Sequence, residues 1–285
     1  MYSILKIAFY FIPNTLLYWF SDFLSFILYH VIKYRRKVVF QNLQNSFPEK
    51  SVHEINKISR KFYTNLTDTI LETLLIPSLT KEQLKKQVIQ KNIELPLEYL
   101  RKGQSILVLT GHQCNWEWLL LSSSMLSEYS VDAIYRPLKS KQSDCFFLKI
   151  RSKFGANLIP MKDTLRSIIK RKDITRGIAM VADQTPPGGE IQYWTKFLNQ
   201  DTPFFVGADK IARNTSFPVF YLSMKRSKRG YYETTYELLS EPPFPEEKFS
   251  LVEKYSNALE KTIKESPSDW LWSHKRWKNT RLKDS

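Results

Sequence analysis

The sequence is poor in cysteine, glycine, histidine and acid. Two cysteines in 285 residues, Cys114 and Cys145, exclude a disulfide framework and fit a reducing compartment. With eight glycines there is no Gly-rich phosphate loop, and no Gly-x-Ser-x-Gly elbow occurs. The four histidines, at 30, 53, 112 and 274, are scattered and offer no metal-ligand cluster. Against 43 basic residues stand only 28 acidic ones, a net charge of +15. Such a bias points to an anionic partner: a nucleic acid, an acidic membrane surface, a phosphorylated substrate or an acidic protein. No internal repeat and no low-complexity linker divides the chain.

What is abundant narrows the choice. Aromatic residues make up 14 %, including seven Trp, which favours an interfacial protein over a nucleic-acid-binding tail. The most apolar stretch is 3–32. Its better half, 15–32, falls just short of the ~20 apolar residues of a spanning helix and carries Asp22. It reads as a membrane anchor, a short span or a helix lying in the interface with Tyr18, Trp19 and Tyr29 at the headgroups. Lys33, Arg35, Arg36 and Lys37 follow and favour the cytoplasmic side and anionic lipid. The expected division is an anchor over 1–32 and one domain over 33–285.

Residues 38–90 follow a helical pattern, with Ser51 and Glu54 spaced as a capping box. From residue 95 short apolar runs alternate with helical ones. Strands are expected at 105–110, 131–135, 157–159 and 177–182, with helices at 97–101, 115–127, 141–153 and 163–171. This alternation predicts an α/β fold with a largely parallel sheet. Residues 184–201, which include Pro-Pro-Gly-Gly, read as a long loop. A helix over 204–213, strands 219–224 and 231–238 joined by a basic turn, and helices over 249–264 and 268–278 complete the expectation.

The candidate site lies in 106–118, ILVLTGHQCNWEW. A buried strand ends at Gly111, and Asn115 is placed as N-cap of the next helix. His112 therefore sits in the strand-to-helix turn and Glu117 in the first helical turn. On one continuous helix, residues five apart would point about 140° away from each other. From the loop, the imidazole can fold back onto the Glu117 carboxylate, which would orient it as a base for a substrate hydroxyl. Arg136 and Asp183 follow the strands at 131–135 and 177–182, where ligands of α/β sheets collect. Arg136 is expected to hold an anionic group or a developing oxyanion, and Asp183 to orient substrate or pair with Arg136. Cys114 is set aside as a nucleophile because its geometry with His112 is poor. The tail 269–278, DWLWSHKRWK, mixes aromatics and cations suited to a membrane interface.

The segments RRKVVFQNLQNSFPE, TGHQCNWEW, YRPLKS, ADQTP, FLNQDTPFFVGADKIARNTSFPV and DWLWSHKRWK, in this order, resemble the late acyltransferases of lipid A biosynthesis, the lauroyl and myristoyl transferases. The resemblance covers most of the chain. It implies a glycerolipid-acyltransferase-like fold at the cytoplasmic face of the inner membrane, working with no cofactor. The acyl donor would be acyl carrier protein and the acceptor a hydroxyl on a phosphorylated glycolipid, a lipid A precursor; nucleic acid is not an expected partner. The family's His-x4-Asp/Glu pair falls on His112 and Glu117, its Tyr-Arg-Pro arginine on Arg136, and Asn115 and Asp183 would contact substrate. Some family members acylate other glycolipids or aminolipids. The competing classes are a non-catalytic module that binds anionic lipid and a hydrolase that sends water to the thioester.

Overall fold

The computed structural model describes residue 2, residues 13–125 and 129–279, and residue 281. Helix α1 spans Asn14–Phe26 and continues through a π-helical turn, Ile27–Val31. Helix α2 is Arg36–Ser46, and α3 is Val52–Leu75. The capping box opens α3: the Glu54 N–H donates to Ser51 Oγ and the Ser51 N–H to Glu54 Oε2. Next come α4 (Lys81–Gln87), β1 (Val88–Lys91) and α5 (Glu94–Arg101). The alternating part is β2 (Ile106–Thr110), α6 (Trp116–Ser124), β3 (Ser130–Tyr135), α7 (Lys141–Arg151), β4 (Asn157–Pro160), α8 (Thr164–Lys170) and β5 (Arg176–Val181). A hairpin of β6 (Trp194–Phe197) and β7 (Gln200–Pro203) precedes α9 (Gly207–Thr215). Strands β8 (Val219–Lys228) and β9 (Tyr231–Ser240) then lead to α10 (Ser250–Glu265).

The main sheet has the order β1-β9-β8-β2-β5-β3-β4. Only the β8–β9 pairing is antiparallel. Strand β2 lies near the centre and is buried along its whole length. Its side chains alternate between two apolar layers, as strand geometry requires. Leu107 and Leu109 face the layer of α3, α9 and α10, while Ile106 and Val108 face that of α4, α5 and α6.

Four expectations change. The 38–90 stretch is not helical throughout: its end forms β1, which pairs with β9 far along the chain. The 184–201 loop contains β6 and meets β7, and the turn between them places Leu198 and Asn199 at φ of 50° and 63°. The helix expected over 204–213 starts at Gly207. The tail is not a helix over 268–278. After a short 3-10 turn, Pro267–Asp269, it runs irregularly, with Trp270, Trp272 and Arg276 buried.

Of the two forms expected for the anchor, the spanning one is not found: among the described residues no single helix is long and apolar enough to cross a membrane. The pair Asn14–Val31 and Arg36–Ser46, bent by 89°, meets the length and composition test only together. The expectation over residues 3–12 lies outside the described residues. One face of α1 packs on α3, where Ser21 donates to Asp68 Oδ1 (2.6 Å) and Tyr18 to Glu72 Oε1 (2.9 Å). Tyr29 is buried too, so Trp19 alone of the three expected headgroup aromatics is well exposed. Asp22, the charge that interrupts the apolar run, receives two hydrogen bonds from Arg229 in the β8–β9 turn. In that turn Gly230 has φ +77° and passes so close to Tyr18 that a Cβ would collide with its hydroxyl.

Candidate active site

Three adjacent strands, β2, β5 and β3, deliver His112, Asp183 and Arg136 to one edge of the sheet. Thr110 pairs with Val181 at the ends of β2 and β5. The chain continuations of the two strands, 111–112 and 182–183, therefore leave side by side. His112 Nδ1 donates to Asp183 Oδ1 at 2.6 Å, and the His112 backbone N–H donates to Oδ2 at 2.8 Å. The Trp270 indole donates to the same Oδ2 at 2.8 Å. Burial pushes the Asp183 carboxyl up, but the adjacent His112 and these three donors outweigh it and hold it down at about 2. A permanent carboxylate on Nδ1 leaves Nε2 as the basic nitrogen, which accepts from the Gln184 amide. Nε2 faces the cavity, 3.3 Å from Gln184 Nε2, and the imidazole meets the Trp116 ring edge-on at 5.1 Å.

Gly111 earns its place by space rather than by an unusual backbone angle. A Cβ there would stand 2.7 Å from Leu259 Cδ1 and 3.3 Å from Asp183 Oδ2. Any larger residue would press on the carboxylate that holds His112.

Glu117 does not contact His112 through a hydrogen bond. It lies in the first turn of α6, and both of its carboxylate oxygens are taken by Arg151 of α7, at 2.8 Å from Nε and 2.6 Å from Nη2. This is a bidentate fork. The His112–Glu117 pairing expected from spacing is thus replaced by His112–Asp183 and Glu117–Arg151. Asp183, in turn, does not pair with Arg136: it is 2 % exposed and its carboxylate accepts from His112 and Trp270.

Asn115 caps α6, its Oδ1 accepting the Trp118 N–H at 3.0 Å. Its amide nitrogen donates to the buried Glu72 at 2.8 Å, and the side chain has no exposure. In this structure Asn115 is a structural cap with no surface open to the cavity. Arg136 is exposed, lines the cavity mouth, and has no ion-pair partner among the described residues. Cys114 is buried, donates to the Met224 carbonyl, and has its thiol pushed well up by burial.

The aromatic and basic tail braces His112 and Asp183 from outside the cavity, a role sequence reasoning missed. Leu271 N–H donates to the His112 carbonyl at 3.1 Å and Cys114 N–H to that of Asp269 at 2.9 Å. His274 Nε2 accepts the Thr185 N–H, and burial pushes its imidazole down to about 4, so it stays neutral in this role. Arg276 is fully buried, lies 4.5 Å over the Phe204 ring and donates to the Pro203 carbonyl. Burial lowers it to about 10, against the attraction of Asp183, so it remains a cation at neutral pH.

A cavity of about 590 Å³ is lined by His112, Glu117 and the exposed Arg136. It runs along β2 toward Leu97, Leu100 and Ile106, and its deep walls are apolar. Along the five residues of β2, at ~3.3 Å each, that is roughly 15 Å. The arrangement offers one oriented base, one unpaired guanidinium and one long apolar slot meeting at one point. No curated protein matches the chain by sequence. A family model described as bacterial lipid A biosynthesis acyltransferase matches residues 1–279, and the chain belongs to that family of acyltransferases.

Proposed function

We propose that this acyltransferase moves a fatty acyl chain from the thioester of acyl carrier protein to a hydroxyl of a phosphorylated glycolipid, a lipid A precursor, at the cytoplasmic face of the inner membrane. The observation that carries the reading is the His112–Asp183 pair at the mouth of an apolar cavity shaped for a chain. His112 Nε2 takes the proton of the acceptor hydroxyl as its oxygen bonds to the thioester carbonyl carbon. Asp183 keeps the proton on Nδ1 and stabilises the imidazolium that forms. Arg136 at the mouth balances the negative charge on the former carbonyl oxygen. When the intermediate collapses, the C–S bond breaks and the carrier thiolate leaves, taking the proton back from His112. The acyl chain lies in the slot beside β2 throughout, and the net charge of +15 suits both an acidic carrier protein and a phosphorylated lipid.

The test is direct. Purified protein, acyl carrier protein loaded with a fatty acid, and a lipid A precursor with free hydroxyacyl chains are incubated together, and the lipid is weighed by mass spectrometry. The expected result is a product heavier by one acyl group. Release of free fatty acid without any lipid product makes the protein a thioester hydrolase. Transfer only to a different glycolipid or to an aminolipid moves the acceptor.

A further inference from the structure

Beside the cavity mouth lies a surface that the reaction does not use. Met161 opens the 3-10 turn Met161–Asp163 that leads into α8. Met161, Leu165 and Ile169 stand four residues apart, so they form one stripe along a helical surface. They are 46, 55 and 69 % exposed, although the adjoining face of α8 is anchored by the buried Thr164 and Ile168. Leu138, from the loop after β3, is exposed as well. Strands β3 and β4 are neighbours, so the segments that follow them emerge together. Leu138 and Met161 also line the cavity mouth, which makes the stripe continuous with its rim. Lys162, Arg166, Lys170 and Lys172 are all exposed alongside it.

We propose that this stripe and its flanking cations rest on an anionic lipid bilayer and hold the cavity mouth at the membrane surface. The value of that position for catalysis rests on the transferase reading; the contact itself does not. An aliphatic stripe with basic flanks suits a helix lying in the interface, aliphatics ~5–10 Å into the headgroup boundary and cations among anionic headgroups. A second copy of this chain would bring the same cations face to face in a two-fold interface, and the net charge of +15 adds to that repulsion. An acidic carrier protein would answer the cations but leave three aliphatic side chains against a charged surface. A bilayer satisfies both.

The apolar outer face of α1, with Trp19, Phe23 and Phe26 exposed, could bind lipid by itself, so the test must report from α8. In a Cys145→Ser chain the one remaining cysteine is the buried Cys114. Ile169→Cys in that background is labelled with a polarity-sensitive nitrobenzoxadiazole dye and mixed with vesicles of phosphatidylcholine and phosphatidylglycerol. The expected result is a blue shift with rising emission, quenched by lipids spin-labelled on their acyl chains. The response should be weaker on pure phosphatidylcholine and weakened again by Leu165→Asp. The same dye on Lys248→Cys, in the exposed segment before α10, should not respond. If the chain floats with the vesicles while the dye at 169 stays in water, the membrane contact lies elsewhere and the proposal fails. It fails equally if the dye responds to acyl carrier protein and not to vesicles. Neither readout needs turnover, so failure of the transferase reading would be seen separately.

Discussion

His112→Ala should cut turnover by roughly 10²–10⁴-fold, the usual worth of a positioned general base, with the fold preserved. Asp183→Asn should be as damaging. A carboxylate accepts the Nδ1 proton and thereby fixes the basic lone pair on Nε2. An asparagine can turn its NH2 to Nδ1 and favour the tautomer with the proton on Nε2, where it cannot act as base; a wrong tautomer of this kind costs ~10⁴-fold elsewhere. Asp183 is 2.6 Å from Nδ1 and also holds the His112 backbone, so the imidazole would lose both orientation and tautomer. The two losses should not add, because the residues act as one unit. A His112→Ala/Asp183→Asn double variant should therefore be about as slow as either single one. Steady-state acyl transfer on purified variants reads this, and a near-normal rate in His112→Ala would overturn it.

Glu117→Leu should be felt first in stability. Glu117 is 4 % exposed and gives both oxygens to Arg151, which is 23 % exposed. Removing the acid leaves a mostly buried guanidinium without its partner, which typically costs ~3–5 kcal/mol. Because Arg151 lines the cavity and is partly exposed, the low end of about 3 kcal/mol is expected. The double variant Glu117→Leu/Arg151→Met should recover much of it, since an apolar pair of similar volume can replace a buried ion pair at little cost. Denaturant midpoints of the three proteins decide the matter. If Glu117→Leu is fully stable yet as inactive as His112→Ala, Glu117 acts in the chemistry and not as the partner of Arg151.

These expectations differ from the sequence reading at one point, for a physical reason. The strand, the turn with His112 and the cap at Asn115 are local, and local chemistry marks them: a β-branched run, a glycine, an N-cap amide. The Ser51–Glu54 capping box is legible in the same way. The partner of His112 is not local. It is set by β5 lying beside β2, and sheet order cannot be read from spacing within thirteen residues. Glu117 is near in sequence, but α6 carries it toward α7. The same limit hid β1, whose four residues pair with a strand some 140 positions away, and the burial of Trp270, Trp272 and Arg276, whose composition reads as surface. The β6–β7 turn did leave a trace, since Asn199 at positive φ is a hairpin signal.

The central claim is that Asp183, and not Glu117, holds the His112 ring. Proton NMR of the purified protein measures this directly, since an imidazole Nδ1 proton in a short bond to a carboxylate resonates far downfield and exchanges slowly. The signal should be present in the native chain, vanish in His112→Ala and Asp183→Asn, and persist in Glu117→Gln. A signal that survives in Asp183→Asn and disappears in Glu117→Gln would contradict the account.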